Sequence, residues 1–265
     1  MAEGDSAEKK SSPIKMKPLR DPGQSLQGRL DDHLYDKVLS WALIALLSVV
    51  WAGLEWYFYL LKIPRSPILF SLCAVAVVWI AVIKIRKARS EAAQLRQGIE
   101  GERYVGQFLE SLRADGYQVL HDIEEDGYNI DHVLIGPTGV FAIETKTVSK
   151  PDNRDAEILY DGEKIEVDGH LPDRDPLKQA EAEAKRVQEI IQQRTGQKVP
   201  VRPVVLYPGW FVRRRCRSPK IWVVNENHLQ AWLDHEPMSL SDADVQRYAS
   251  VLADHVRSKE RTRFS

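Results

Sequence analysis

The sequence predicts a soluble α/β domain preceded by a hairpin of two membrane-spanning helices. Three observations lead to this prediction. Two long apolar runs lie near the N-terminus, later segments show an apolar period of about 3.6 residues, and short apolar runs are bounded by glycine and proline. The two apolar runs come first in the chain, and the helical and strand-like segments follow them.

Composition excludes a few classes of protein. The 265 residues include 37 Lys and Arg and 38 Asp and Glu, which argues against a surface that is basic throughout. A local basic patch for nucleic acid is still compatible with this balance. Cys73 and Cys216 are far apart and form no C-x-x-C motif. The cysteines therefore indicate neither a disulfide framework nor a cysteine-based zinc site.

The N-terminal segment precedes the first apolar run. Residues 1–37 are rich in Ser, Lys, Pro, Gly and acids at their start and show no apolar period there. Such a composition does not repay the entropy of ordering, so we predict a disordered cytoplasmic tail over residues 1–37. The apolar run begins only at Val38, which disfavours a cleaved secretory signal.

Two apolar runs, over residues 38–61 and 66–85, predict transmembrane helices. At a rise of 1.5 Å per residue, each run is long enough for a hydrocarbon core of about 30 Å. A buried core helix is the alternative for such runs. Most Lys and Arg residues near the runs lie before the first or after the second, and only Lys62 and Arg65 lie between them. We therefore expect a multi-pass protein of the plasma or inner membrane with both termini and the later domain in the cytoplasm.

The chain beyond the second run has the pattern of a soluble α/β domain. A basic linker is predicted over residues 86–97, the domain over 98–224, and two amphipathic C-terminal helices over 225–265. Within the domain we expect a helix that ends at Gly116, several strands, and a helix that opens at Asp175 and Pro176.

The stretch NIDHVLIGPTGVFAIETK, residues 129–146, predicts a hairpin with charged residues in its strands. If Gly136 and Gly139 flank the tight turn, counting back along both strands sets Asp131 opposite Glu144. Directly opposed residues have Cβ atoms about 5 Å apart, and like charges at that distance repel each other. The pairing therefore needs a positive charge between the carboxylates.

A divalent cation would meet that need. The period-2 alternation of strands puts Lys146 on the same face as Glu144, which gives two carboxylates and an ammonium in one patch. Hard oxygen ligands suit Mg²⁺, and metal-activated water with a nearby lysine could attack a phosphodiester. The alternative is that Glu144 and Lys146 form an ordinary ion pair on a solvated strand end.

Two other features are weaker candidates. His132 is next to Asp131, but strand alternation points it to the opposite face, which favours a core or supporting role over a catalytic base. The basic run RRRCR, residues 213–217, could grip phosphates beside the site, or it could be a solvated or membrane-facing surface.

At these positions the sequence resembles the nuclease-related domain, or NERD, family, a branch of the PD-(D/E)xK phosphodiesterase superfamily. The resemblance covers about residues 98–212. It rests on the segments GIEGE with Glu102, IDHVLIGPTGVFAIETK, and PLKQA with Gln179, taken in this order and with these separations. The glycine-rich lead that usually follows the family's lysine is absent, because TVSKPDNRDAEI stands there.

The resemblance implies a three-layer α/β/α, restriction-endonuclease-like core with a mixed sheet. It implies that Asp131 and Glu144 are ligands of Mg²⁺ or Mn²⁺ and that Lys146 orients the attacking water. Glu102 would be a further acidic site residue, and Gln179 a polar contact from the later helix.

The function expected from these features is that of a membrane-anchored, Mg²⁺-dependent nuclease that hydrolyses phosphodiester bonds of nucleic acid, in the first place DNA, on the cytoplasmic side. The alternative is a catalytically silent scaffold or nucleic-acid-binding module of the same fold at the membrane.

Overall fold

The computed structural model describes residues 19–151 and 156–263, so residues 1–18, about half of the predicted tail, lie outside the described residues. The helices in this part of the chain are α1 (Gln24–His33), α2 (Ser40–Leu60), α3 (Pro67–Ser111), α4 (Pro176–Thr195), α5 (Glu226–His235) and α6 (Asp242–Arg263). The strands are β1 (Gln118–Glu125), β2 (Tyr128–Gly136), β3 (Gly139–Thr145), β4 (Glu157–Tyr160), β5 (Ile165–Val167), β6 (Val201–Leu206), β7 (Phe211–Arg214) and β8 (Trp222–Val224).

Two long helices form the N-terminal part of the described chain. A π-helical segment over Leu34–Leu39 joins α1 to α2, so that residues 24–60 form one continuous helix. This helix and the one over residues 67–115 are long and apolar enough, by length and composition, to cross a membrane. They pack against each other along α2 and α3.

The predicted linker over residues 86–97 is not a separate element. These residues lie inside α3, which runs for 45 residues without a break. The segment is rich in Ala, Arg and Gln and contains no proline, so nothing in it favours ending the helix. The second apolar run and the first helix of the α/β domain therefore form a single rod.

The prediction of a disordered tail is wrong for residues 24–37, which are helical. Tertiary contacts supply the stabilisation that the composition lacks. The backbone N–H and the hydroxyl of Ser25 donate to the two carboxylate oxygens of Asp122, at 2.8 and 2.5 Å. Leu30 packs in a small apolar cluster with Ala92 and Ile99 of α3. These contacts hold α1 against the α/β domain.

The central sheet has five strands in the order β1-β2-β3-β6-β8. The first three strands are antiparallel, while β6 and β8 run parallel to β3. The predicted α/β class with a mixed sheet is therefore confirmed. A second sheet has three strands in the order β5-β4-β7.

Helices cover both faces of the central sheet. On one face, Val105 and Leu109 of α3 share an apolar core with α5. On the other face, α4 and α6 pack on residues such as Val133 and Ala142. The C-terminal helices over residues 225–263 thus complete the two helical layers of the domain, because each layer needs a second helix to cover its side of the sheet.

The hairpin of β2 and β3 has the predicted register. Gly136 pairs with Gly139, and the ladder continues from this turn to the pair of His132 and Ile143. The close approach at the turn requires glycine, since a Cβ at position 136 would lie 2.1 Å from the ring of Tyr117. This register decides which side chains of the hairpin share a face.

Glu125, at the end of β1, connects the sheet to both helices of one layer. Its carboxylate accepts from His255 Nε2 at 2.6 Å and from Arg186 Nε at 3.0 Å, and Lys259 Nζ lies 3.4 Å away. Burial raises the pKa of Glu125, but the bonds from His255 and Arg186 outweigh burial and lower it overall. A lowered folded-state pKa stabilises the fold above the unfolded-state pKa, and this stability is lost as the pH falls through the folded-state pKa.

We expect Glu125→Gln to lower the free energy of unfolding at pH 7 by about 2 kcal/mol, because charged hydrogen bonds to α4 and α6 are lost. The loss should begin to shrink as the pH falls below the ordinary glutamate pKa of about 4.3, and it should vanish below the lowered folded-state pKa of Glu125, where the wild-type carboxylate is itself protonated. Denaturant unfolding of the full chain between pH 3 and 7 measures this. Asp126→Asn is the control: its carboxylate is 98% exposed although it contacts the same Lys259. An equal effect of both substitutions would contradict the role of Glu125.

Candidate active site

A cleft of about 1100 Å³ opens at the carboxyl end of β3. The structure brings the five candidate residues of the sequence analysis together in its lining, although they come from two helices and a hairpin of two strands. They are Glu102 from α3, Asp131 from β2, Glu144 and Lys146 from β3 and its end, and Gln179 from α4. Ser25 and Arg29 of α1 also line this cleft.

The end of the hairpin positions Asp131 and Glu144. The β2–β3 ladder ends at His132 and Ile143, one step before these residues. Beyond the ladder, the side chain of Asp131 supplies the hydrogen bond between the strands: its Oδ2 accepts from the backbone N–H of Thr145 at 2.9 Å. Asp131 is thus both a carboxylate of the cleft and an anchor for the end of β3.

Lys146 is held in place by two acceptors. Its Nζ donates to Glu144 Oε1 at 2.5 Å and to Gln179 Oε1 at 2.8 Å. Its backbone N–H donates to the carbonyl of Leu206 at 2.8 Å, which extends the pairing of β3 with β6. The ammonium is therefore fixed between the hairpin and α4.

Glu183 is a buried carboxylate that the sequence analysis did not single out. Gln179 Nε2 donates to Glu183 Oε1 at 3.1 Å, and the Glu183 side chain is fully buried beneath the cleft. The signal for it was present: Glu183 follows Gln179 by one turn and interrupts the apolar stripe that includes Ala180 and Val187. A charged residue within an apolar stripe that faces the core is almost never fully buried unless it is paired with another polar or charged group.

Glu102 reaches the cleft because α3 approaches the loop after β3 very closely. A Cβ at Gly101 would lie 1.7 Å from the hydroxyl of Thr147, so only glycine permits this contact. The side chain of Glu102 is 7% exposed and accepts from the backbone N–H of Gly23. The glycine of the GIEGE segment thus serves helix packing, and the neighbouring glutamate faces the site.

The carboxylates of the cleft raise one another's pKa. Burial, followed by the charges of Asp122 and Glu144, raises the pKa of Glu102 to about 8. Burial and then the charge of Glu144 raise the pKa of Asp131 well above its usual range, and the same two causes act on Glu183. The site therefore holds more negative charge than Lys146 alone offsets.

Asp131 and Glu144 are the side chains that could hold a hard divalent cation. Glu144 Oε2 is buried, lies near the buried carboxylate of Glu183 and has no hydrogen-bond partner in the described part of the chain, so this oxygen could bind an ion. Across the described ranges, no group of three or more His, Cys, Asp and Glu side chains is arranged to hold a metal. Two carboxylates are nevertheless sufficient for Mg²⁺, which keeps several water ligands.

His132 points away from the cleft, as strand alternation predicts. Its Nδ1 lies 2.9 Å from His121 Nδ1, and His121 Nε2 lies 3.0 Å from Glu110 Oε1 of α3. Burial lowers the pKa of His132 well below its usual range, which keeps the ring neutral. His132 therefore belongs to the packing of α3 on the sheet and not to the chemistry of the cleft.

The basic run over residues 213–217 does not line the cleft. Arg213 forms an ion pair with Glu157 of β4 at 2.8 Å, and Arg214 lies over the ring of Trp232. Of the loop that replaces the expected glycine-rich lead, residues 152–155 fall outside the described residues.

A comparison with known families gives a match in the part of the chain that contains this cleft. Residues 97–208 match the family model named NERD and described as the nuclease-related domain. This match supports the NERD family for the α/β part of the chain. The matched residues include the five candidates of the cleft. No curated protein and no solved structure matches the chain significantly.

We expect Asp131→Asn to stabilise the domain in the presence of a chelator by up to about 1 kcal/mol, because a like charge opposite Glu144 is removed. The amide oxygen can still accept from Thr145 N–H. Asp131→Ala should instead destabilise it by about 1–3 kcal/mol, because it leaves that N–H without a partner. Chemical denaturation of the full chain in EDTA measures both. Destabilisation by Asp131→Asn equal to that by Asp131→Ala would show that the charge itself is required.

Proposed function

We propose that this chain is a membrane-anchored, Mg²⁺-dependent nuclease that hydrolyses phosphodiester bonds of nucleic acid, in the first place DNA, on the cytoplasmic side of a cell membrane. The observation that carries the proposal is the convergence of Asp131, Glu144 and Lys146 with Gln179 in one cleft of a nuclease-related domain.

The donor set of the cleft fits Mg²⁺ or Mn²⁺. Carboxylate oxygens are the ligands that these cations prefer, and the free oxygen of Glu144 lies beside carboxylates whose mutual repulsion a cation would offset. When bound, such a cation activates water and polarises a phosphoryl oxygen. Asp131 and Glu144 would hold it.

The remaining residues act by position and charge. Gln179 is oriented by its bond to Glu183, so that its oxygen faces Lys146. Lys146 is thereby held at the cleft, where an ammonium can orient the attacking water and stabilise negative charge that develops on the phosphoryl oxygens. Glu102 adds a carboxylate on the α3 side of the cleft.

Cations at the rim of the cleft support an anionic polymer as substrate. Arg29 of α1 and Arg174, just before α4, line the cleft and are exposed. Neither forms an ion pair within the described part of the chain, so both are available to the phosphates of a bound strand. They come from different elements of the lining, α1 and the segment before α4.

Exposed apolar surface supports the membrane location. Only 11% of the most apolar window of each long helix is buried, whereas a core helix of a soluble protein is mostly buried. Large side chains such as Leu47, Trp51 and Val75 are more than half exposed. Surface of this extent is typical of contact with lipid. The Lys and Arg residues that flank the helices favour cytoplasmic termini.

Variants of Glu144 and Lys146 should separate metal binding from catalysis. Glu144→Gln removes a ligand charge and should weaken both Mg²⁺ affinity and cleavage, with partial recovery at high Mn²⁺. Lys146→Ala should retain or tighten metal binding while turnover falls about a hundredfold or more. Lys146→Arg should not restore turnover, because a planar guanidinium does not replace a compact ammonium.

Metal titration and cleavage of single- and double-stranded DNA and RNA by the full chain measure these effects. Lys150→Ala is the matched control: Lys150 lies four residues beyond Lys146 and outside the cleft lining, so both properties should be unchanged. If the wild type binds metal but cleaves no substrate, the domain is a binding or scaffold module. Normal cleavage by Lys146→Ala would refute the assigned role of this lysine.

The orientation is tested by cysteine labelling in a background without Cys73 and Cys216. A membrane-impermeant reagent applied from outside should label a cysteine at position 66, between the two helices, but not one at position 6 or 265. Permeabilised cells, in which all three positions should react, are the control. Labelling of position 265 in intact cells would reverse the proposed orientation.

A further inference from the structure

A small cavity lies between the two long helices where their apolar stretches end. It has a volume of about 240 Å³ and is lined by Lys37, Trp41, Lys84, Lys87, Ala88 and Glu91. Pockets for drug-sized ligands span about 300–1,000 Å³, so this cavity limits its occupant to a small group. It is separate from the cleft of the candidate active site, with which it shares no lining residue.

Helix periodicity builds this cavity. Lys84, Lys87 and Glu91 follow one another at three and four residues and therefore share one face of α3. Lys37 and Trp41 are one turn apart on the facing helix. Ala88, which is 2% exposed, lies at the contact and lets the two helices approach closely. The lysines therefore surround a gap between the two long helices.

The cavity has more positive than negative charge. Lys37 Nζ lies 2.9 Å from Glu91 Oε2, and His33 Nε2 lies 3.4 Å from the same oxygen, so Glu91 is already engaged on one side. Lys84 and Lys87 form no ion pair within the described residues. The charge of Lys87 reaches Glu91 without an ion-pair contact, so the lining holds three ammonium groups, of Lys37, Lys84 and Lys87, against this one carboxylate. This excess of positive charge suits a phosphate ester.

Apolar surface continues from the cavity along the helices. Leu39 is 47% exposed, and Val82 and Ile83 of α3 are 41% and 53% exposed. Trp41 is partly buried at the cavity, in the position that tryptophan often takes at a membrane interface. A ligand with a phosphate and long apolar chains could contact the lysines with its phosphate and the exposed apolar side chains with its chains.

We propose that this cavity binds the phosphate of one anionic phospholipid between Lys84 and Lys87, with its acyl chains along the exposed apolar faces of the two helices. The inference rests on the membrane location proposed above. Basic pockets between helices at the cytoplasmic side are a known means of binding anionic headgroups. A free phosphate would gain the ammonium contacts but not the apolar contacts, so the lipid is the favoured source of the phosphate group.

The test is native mass spectrometry of the detergent-solubilised, delipidated full chain titrated with phosphatidylglycerol or phosphatidylcholine. We expect one phosphatidylglycerol to bind preferentially, and the double variant Lys84→Gln/Lys87→Gln to weaken this binding about tenfold or more. The matched control is Arg86→Gln/Arg89→Gln, which removes two positive charges from the same stretch of α3 but leaves the cavity lining intact. It should bind the lipid as the wild type does.

Three results would overturn the lipid site. They are equal binding of both lipids, equal weakening by both double variants, and equally strong lysine-dependent binding of inorganic phosphate. Flotation with vesicles of phosphatidylcholine alone separates this inference from the membrane location. All variants should float, because insertion depends on the apolar helices; failure of the wild type to float would refute the location itself and, with it, the lipid site.

Discussion

Repulsion between buried carboxylates is the constraint on which the rest of the site depends. Glu102, Asp131, Glu144 and Glu183 lie around one end of β3, and Lys146 is the cation hydrogen-bonded among them. In a poorly solvated site, such an excess of charge must be offset by protons or by a bound cation. The pKa of Glu102, raised to about 8, corresponds to offsetting the charge with a proton. A divalent cation would offset it in the other way. The packing that forces these groups together is therefore the packing that would form the proposed metal site.

The continuity of α3 joins the proposed membrane anchor to that site. Eighteen residues separate Lys84, at the end of the apolar stretch, from Glu102, which corresponds to about 27 Å along a straight helix. Arg29 lies on the continuous helix that leads into the other apolar stretch, and it also lines the cleft. If both helices span a membrane as proposed, these continuous helices, rather than a separate linker, set the distance of the cleft from the membrane surface. A nucleic-acid substrate would then have to approach within this distance of the membrane.

The contact between α1 and the domain is made at a strained residue. Asp122 has a φ of +48°, a left-handed conformation that is uncommon for residues other than glycine, and it lies across from Asp131 where the β1–β2 ladder is interrupted. Its carboxylate accepts from Ser25, which compensates for the backbone strain. The same contact secures the N-terminal helix beside the cleft. Pro22 packs on Gly106 of α3, where a Cβ would lie 2.3 Å from the proline ring.

The sequence by itself determined the α/β class, the two apolar helices and the hairpin register, because periodicity, turn glycines and strand alternation are local properties. That register places Asp131, Glu144 and Lys146 on one face of the hairpin and points His132 to the opposite face. Only the tertiary structure decided the rest. Glu183 became a site neighbour because α4 docks on β3, and residues 24–33 became a helix because Asp122 and α3 offer partners. Such contacts join residues that are far apart in the chain, and no local pattern encodes the energy that they contribute.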